Sequence, residues 1–177
     1  IEQGILKGRK INRVLITHMH PDHSGMAGWL NRHHGAQLHM TPLEFFVLRY
    51  LTSAHESAPE TALSFYRAAG MEQSWLDQYQ LRFGSFSNMI WPLPDQLIPL
   101  DSGKSITIGD IEWSCVLGYG HSPEHACFWS RDHKLFISGD QVLPTISSNV
   151  SVYPYMPEAD PLTGWLNSLA EIRKTVP

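Results

Sequence analysis

The sequence predicts a layered α/β sandwich, one domain over residues 1–177. Three observations carry that expectation. Short strand-like runs lie near the start and again in the second half. The later runs pair as hairpins. Amphipathic helical patterns stand at both ends of the strand-bearing regions, as a sheet needs if its apolar faces are to be covered. The size agrees: 177 residues suffice for one core and fall short of two ordinary domains. A hydrophobic share of 42% with 17% charged residues excludes a disordered or fibrous chain. No apolar run approaches the roughly 18 residues of a membrane-spanning helix.

The elements follow in order. Residues 13–17 (RVLIT) form a β-branched run without helical period, hence a buried strand. A loop over residues 18–23 leads to a helix over 25–34, with Met26, Trp29 and Leu30 on one face. Residues 37–40 are a second strand. Thr41-Pro42-Leu43-Glu44 reads as a capping box with proline at the first helical position, opening a helix to about Thr52. Ser57-Ala58-Pro59-Glu60 repeats the signature before a helix ending at Gly70, and a further helix is expected over 71–81. Residues 104–108 and 111–117 flank the Gly109-Asp110 turn as a hairpin; residues 126–130 and 134–138 form another. Residues 141–158 are irregular. Asp160 caps a last helix with Leu162, Trp165, Leu166, Leu169 and Ile172 on one stripe. Residues 41–99 thus read as a helical insert, a substrate cap, between two strand-rich parts.

A net charge of -4 without a basic run disfavours a nucleic-acid footprint. Cys115 and Cys127 do not make a disulfide framework and read as small buried side chains. The outlier is histidine, present ten times.

The densest cluster is Thr17-His18-Met19-His20-Pro21-Asp22-His23-Ser24-Gly25, straight after a strand. Alternate residues of an extended segment point the same way, so His18 and His20 can converge on one ion. Asp22 and His23, past the turn at Pro21, can face a second. Imidazole with carboxylate suits Zn²⁺, Fe²⁺ or Mn²⁺ rather than Ca²⁺ or Mg²⁺. Gly118-Tyr119-Gly120-His121 also follows a strand, and its glycines present His121 as the third imidazole. His125 reads either as a ligand or as a supporting residue. Phe136-Ile137-Ser138-Gly139-Asp140 is a strand ending in a carboxylate, read as a bridge between two metals. His33 and His34 sit where an imidazole meets a helix C-terminus. His39, His55 and His133 read as surface or boundary residues. The insert aromatics Phe45, Phe46, Tyr50, Phe65, Tyr66, Trp75 and Tyr79 recur at helical spacing and read mostly as core between helices, with some lining a substrate pocket that the spacing does not single out.

In this order, His18-x-His20-x-Asp22-His23, Gly120-His121-Ser-Pro and Ser138-Gly139-Asp140 resemble the motif series of the metallo-β-lactamase superfamily, and within it the glyoxalase-II-like hydrolases. The resemblance implies a four-layer αββα sandwich with a dinuclear site at one sheet edge. His18, His20 and His121 would hold the first metal, Asp22 and His23 the second, with Asp140 between them. The implied cofactor is zinc, two ions, with iron or manganese as alternatives. Two departures stand out. No histidine follows His133, where the family has one more, and twelve residues precede Arg13, where the family has further strands. Both fit a sandwich incomplete at both ends, with a weaker second site and exposed sheet surface that favours association, for instance as a homodimer.

The chemistry implied is hydrolysis. A metal-bound hydroxide, formed because the ions lower the pKa of water from 15.7 toward about 7, attacks an ester, thioester or lactone carbonyl, with Asp22 orienting the nucleophile and taking its proton. Competing expectations keep the fold and change the chemistry: a phosphodiesterase or nuclease, a mononuclear-iron persulfide-oxidising enzyme, or a non-catalytic metal-binding domain. The expected partner is a small-molecule acyl substrate, with neither nucleic acid nor membrane, in the cytoplasm.

Overall fold

The computed structural model describes residues 4, 8–53 and 57–176 of the chain. The first strand, β1 (Arg13–Leu15), is followed by a single helical turn, α1 (Pro21–Ser24), and by α2 (Ala27–His34). Strand β2 (Gln37–Met40), helices α3 (Pro42–Leu51), α4 (Glu60–Ala68) and α5 (Gln73–Arg82), and the short strand β3 (Ile98–Pro99) come next. The second half holds β4 (Ser105–Ile108), β5 (Ile111–Gly118), β6 (His125–Ser130), β7 (Leu135–Ile137) and the closing helix α6 (Pro161–Thr175).

Two sheets result. β1, β2 and β3 pair in parallel in that order, with Val14 opposite Leu38 and His39 opposite Ile98. β4 to β7 form an antiparallel meander, with Ile106 opposite Trp113 and Cys115 opposite Phe128. The alternation along β1 fixes the layers. Val14 packs outward into a core of Ile16, Leu38, Met40, Phe45 and Leu48, against helix α3. Leu15 packs the other way, into a core with Leu100, Ile106, Trp113, Cys115 and Phe128 between the sheets. Helix α6 lies against β5. The order helix, sheet, sheet, helix is the sandwich expected from the sequence. Every residue of β6 is buried, and both cysteines are buried and free.

Several local expectations are corrected. Residues 21–23, read as part of a loop, belong to the helical turn α1, because Pro21 pre-sets the first helical φ and the amides of His23 and Ser24 bond to the His20 carbonyl. Neither capping box closes. Thr41 Oγ1 donates to the Glu124 carbonyl, and Glu44 turns into the protein interior. Helix α4 starts at Glu60 with Pro59, not Ser57, in the N-cap position. A strand, β3, lies inside the stretch read as helical insert. His39 is buried on β2 with its Nε2 unpartnered, not at the surface. His133 stays at the surface as expected, and His55 lies outside the described residues.

Candidate metal centre

The site forms where the C-terminal end of β1 meets the ends of β5 and β7. The amide of Ala126 on β6 donates to the Thr17 carbonyl at 2.8 Å, which ties the two sheets together beside the cluster. After Leu15 the chain bends over residues 17–19 rather than staying extended as expected from the sequence. Met19 packs into the same core as Ile16, and the rings of His18 and His20 meet edge to face at 4.6 Å. His18 Nε2 lies 2.9 Å from His20 Nδ1 and 3.2 Å from His121 Nε2. Turn α1 then presents Asp22 and His23, and Ser24 Oγ pins the turn by donating to the carbonyls of Met19 and His20.

Asp140 sits on a 3-10 turn, Gly139–Gln141, just past β7. Its two oxygens face different ways. Oδ1 lies 3.3 Å from His23 Nε2, and Oδ2 lies 3.7 Å from His121 Nε2. Two groups of donors result: His18, His20, His121 and Asp140, and Asp22, His23 and Asp140. Within each group the donor atoms lie within 4.8 Å of one another. All six residues singled out from the sequence are thus brought together.

The donor chemistry fits divalent transition metals. His121 Nδ1–H donates to the Asn149 carbonyl at 2.9 Å, which leaves a lone pair on Nε2 aimed at the cluster. His18 Nδ1 lies 3.0 Å from Thr17 Oγ1, and in the tautomer in which Nδ1–H donates to that hydroxyl its Nε2 lone pair is available to a metal. His18 is buried, and burial together with the neighbouring imidazoles drives its pKa far below the ordinary value. Burial and His121 lower that of His20 as well, although Asp22 and Asp140 oppose the shift. Neutral imidazoles crowded nitrogen to nitrogen are the state a metal requires, and it would relieve their lone-pair repulsion.

Two supporting residues complete the centre. His125, open from sequence between ligand and support, is a support. It is fully buried, stacked on His18 at 4.7 Å, and its Nε2 accepts the Asp140 amide at 3.1 Å. Its Nδ1 faces Cys127 Sγ at 3.6 Å, so neither nitrogen is free for a metal. Burial, then the neighbouring imidazoles, lowers its pKa to about 3. Gly139 makes this stacking possible. Its φ is +50°, and a Cβ there would lie 2.5 Å from the His125 ring. That is the reason for the glycine in Ser138-Gly139-Asp140.

The other support, Glu44, is the residue sequence reasoning missed. From α3 its carboxylate accepts the Met19 amide at 2.8 Å, Ser122 Oγ at 2.5 Å and the Glu124 amide at 2.7 Å. Met19 lies between His18 and His20, and Ser122 follows His121. One buried carboxylate therefore ties the two imidazole-bearing loops together. Burial pushes its pKa up, and the three donors hold it down. No cation pairs with it among the described residues, so these donors carry the compensation. The glutamate of a capping-box pattern gave no sign of this, because its partners lie 25 to 80 residues away.

This fold and this convergence of histidines and aspartates define a class, and the chain belongs to it: the metallo-beta-lactamase superfamily, whose family model matches residues 3–176. A beta-lactamase domain protein from Burkholderia ambifaria is 34% identical, with a TM-score of 0.82 over 97% of this chain and 49% of its own. A metallo-beta-lactamase family protein from Thermus thermophilus shares the fold at 24% identity and a TM-score of 0.73, over 91% of this chain and 50% of its own. A further structure, of TTHA1623 in a di-iron-bound form, shares it at a TM-score of 0.54 and 24% identity, over 90% of this chain and 62% of its own. Among curated proteins, an uncharacterized protein of Aquifex aeolicus (strain VF5) is 23% identical over 135 residues, 76% of this chain and 51% of its own. The chain thus spans about half the length of the first two structures and of this curated relative. No helix among the described residues is long and apolar enough to cross a membrane.

Proposed function

We propose that the chain carries the metal centre of a hydrolase acting on an ester, thioester or lactone carbonyl. The observation that supports this most is the split of Asp140, whose two oxygens face His23 and His121 separately. A carboxylate so placed suits two ions side by side. His18, His20 and His121 would hold one ion, Asp22 and His23 the other, with Asp140 shared. Such ions, once bound, acidify water and polarise a carbonyl. The di-iron form of TTHA1623 makes iron a candidate beside zinc and manganese.

The chain's own residues supply the rest. Asp22, with its side chain 75% exposed, is the accessible carboxylate of the cluster and the candidate to orient the nucleophile and take its proton. His18 and His121 are buried, so the first donor group is closed to water on its protein side. The Asn149 carbonyl holds the His121 proton on Nδ1 and keeps Nε2 aimed inward. Helices α4 and α5, which share a cluster of their own within the stretch 41–99, are the part that we assign to a substrate-selecting cap; α3 belongs to the sandwich. Metal-loaded protein assayed on phenyl acetate, a thioester, a lactone and a phosphodiester tests the reading. Carbonyl substrates should be turned over, and Asp22→Asn should slow them by about 10² or more. Turnover of the phosphodiester alone would overturn it.

A further inference from the structure

A cavity of about 640 Å³ lies between helices α3–α5, the turn that follows α5 and the segment 153–155. Its volume is that of a small-molecule site. It shares wall residues with two depressions near the metal centre. Tyr153 and Tyr155 form part of its wall and also line the smaller cleft that contains His121 and Ser122. They stand four and six residues after Asn149, whose carbonyl holds His121. Met89, on another wall, also lines the depression formed by Pro21 and Gly25, which bracket Asp22 and His23.

The walls have a specific chemistry. Tyr153 and Tyr155 stack with ring centres 5.3 Å apart and planes within 2°. Tyr66 and Tyr79 meet edge to face at 4.9 Å, and Trp75 stacks on Tyr79 from behind. The rings offer flat apolar faces. The hydroxyls of these four tyrosines bond to no described residue, and none is a fully buried unsatisfied atom, so each keeps some exposure. Arg82, at the end of α5, also lines the cavity and pairs with no described carboxylate. Apolar ring faces thus combine with several free hydrogen-bond donors and one guanidinium, which favours planar anionic oxygen groups.

We propose that this cavity binds an aromatic arm of the substrate, and that the arm carries an anionic oxygen group at the end remote from the scissile carbonyl. The substrate class is an aryl ester or thioester with a remote carboxylate. The proposal rests on the hydrolase reading above for its role in turnover, but not for binding.

The test compares phenyl acetate, 2-naphthyl acetate and 6-acetoxy-2-naphthoate on the metal-loaded full chain. It adds fluorescence titration of the metal-free chain with 6-hydroxy-2-naphthoate. The carboxylated naphthyl ester should have the highest kcat/KM, and 6-hydroxy-2-naphthoate should bind without metal. Arg82→Gln, at an exposed position, should reduce the preference for 6-acetoxy-2-naphthoate over 2-naphthyl acetate about tenfold. Thr61→Trp, which fills the cavity, should lower the naphthyl-to-phenyl ratio at least tenfold and weaken 6-hydroxy-2-naphthoate binding. Zn²⁺ uptake by each variant reports that it is folded, and should Thr61→Trp fail this check, Arg82→Gln decides alone. Ester turnover with no naphthyl preference, no effect of either variant and no naphthoate binding would overturn the cavity assignment while leaving the hydrolase standing. Naphthoate binding that Arg82→Gln weakens, without turnover of any ester, would uphold the cavity and overturn the hydrolase.

Discussion

Asp140 faces two donor groups at once, and its replacement should therefore disturb both. In Asp140→Asn both Zn²⁺ binding steps should weaken, whereas His121→Ala should remove the tight step and spare the other. Calorimetric titration of the two variants checks this. Glu44 touches no metal-competent side chain, yet it ties the two imidazole loops. Glu44→Gln puts an amide NH₂ against donors that need an acceptor. Metal affinity should fall 10- to 100-fold, the usual cost of losing such a supporting partner, while Glu44→Asp restores part of it. His125 gives a pH signature. Its pKa is about 3 in the fold against 6.5 in the unfolded chain. Between these values unfolding takes up a proton, so stability is full above about pH 6.5 and is lost as pH falls toward 3, by at most about 1.4 kcal/mol per pH unit. Denaturation of the metal-free protein at pH 7 and 4.5 should show a smaller drop for His125→Gln, whose amide oxygen can still accept the Asp140 N–H. The six candidate ligands were legible in the sequence because metal binding demands particular side chains at close spacing; that His18 and His20 converge through a bend rather than by strand alternation was not. Glu44 and the Asn149 carbonyl were not legible, because a buried acceptor is defined by tertiary partners that leave no local pattern.

At the scale of elements, Gly120 shows why the second motif has its spacing. Its φ is +95°, and a Cβ would lie 2.3 Å from the Pro161 carbonyl and 2.6 Å from Trp165 Cβ. Helix α6 thus packs against the backbone that delivers His121, and Tyr119 N bonds to Ser168 Oγ on the same helix. Gly120→Ala should cost about 1–2 kcal/mol for the left-handed backbone alone, and more for the clash. Thermal unfolding should show the loss, and the displaced His121 should weaken the tight metal step. The apolar stripe read for α6 holds only in part. Ile172 is buried and Trp165 and Leu169 are half-buried, but Leu162 and Leu166 are more than half exposed. Periodicity places apolar residues on a face; it does not say that the buried line of α6 runs through Ser168 and Ile172. The insert aromatics divide. Phe45 joins the main core and Phe46 is exposed, while Tyr66 and Tyr79 pack in the cluster shared by α4 and α5 and also line the cavity. Spacing is the same for a core aromatic and for a wall aromatic, so the distinction waited for the structure.

At the scale of the molecule, the centre is a joint between the two sheets. His18, His20, Asp22 and His23 follow the parallel sheet, and His121 and Asp140 follow strands of the antiparallel one. Ions bound there would link the two halves, so metal should stabilise the fold by mass action, and the unfolding temperature should rise with added Zn²⁺. The two donor groups differ in kind. The first has three imidazoles and a carboxylate, with His18 and His121 buried. The second has one imidazole and two carboxylates, with Asp22 exposed. Ligand number and exclusion of water both favour the first. The most direct measurement is a calorimetric titration of the metal-free chain with Zn²⁺, with bound metal counted by elemental analysis. The expected result is one tight step followed by one weak step, the tight step absent in His121→Ala. A chain that takes up neither Zn²⁺ nor Fe²⁺, or a His121→Ala variant that keeps both steps, would contradict the account.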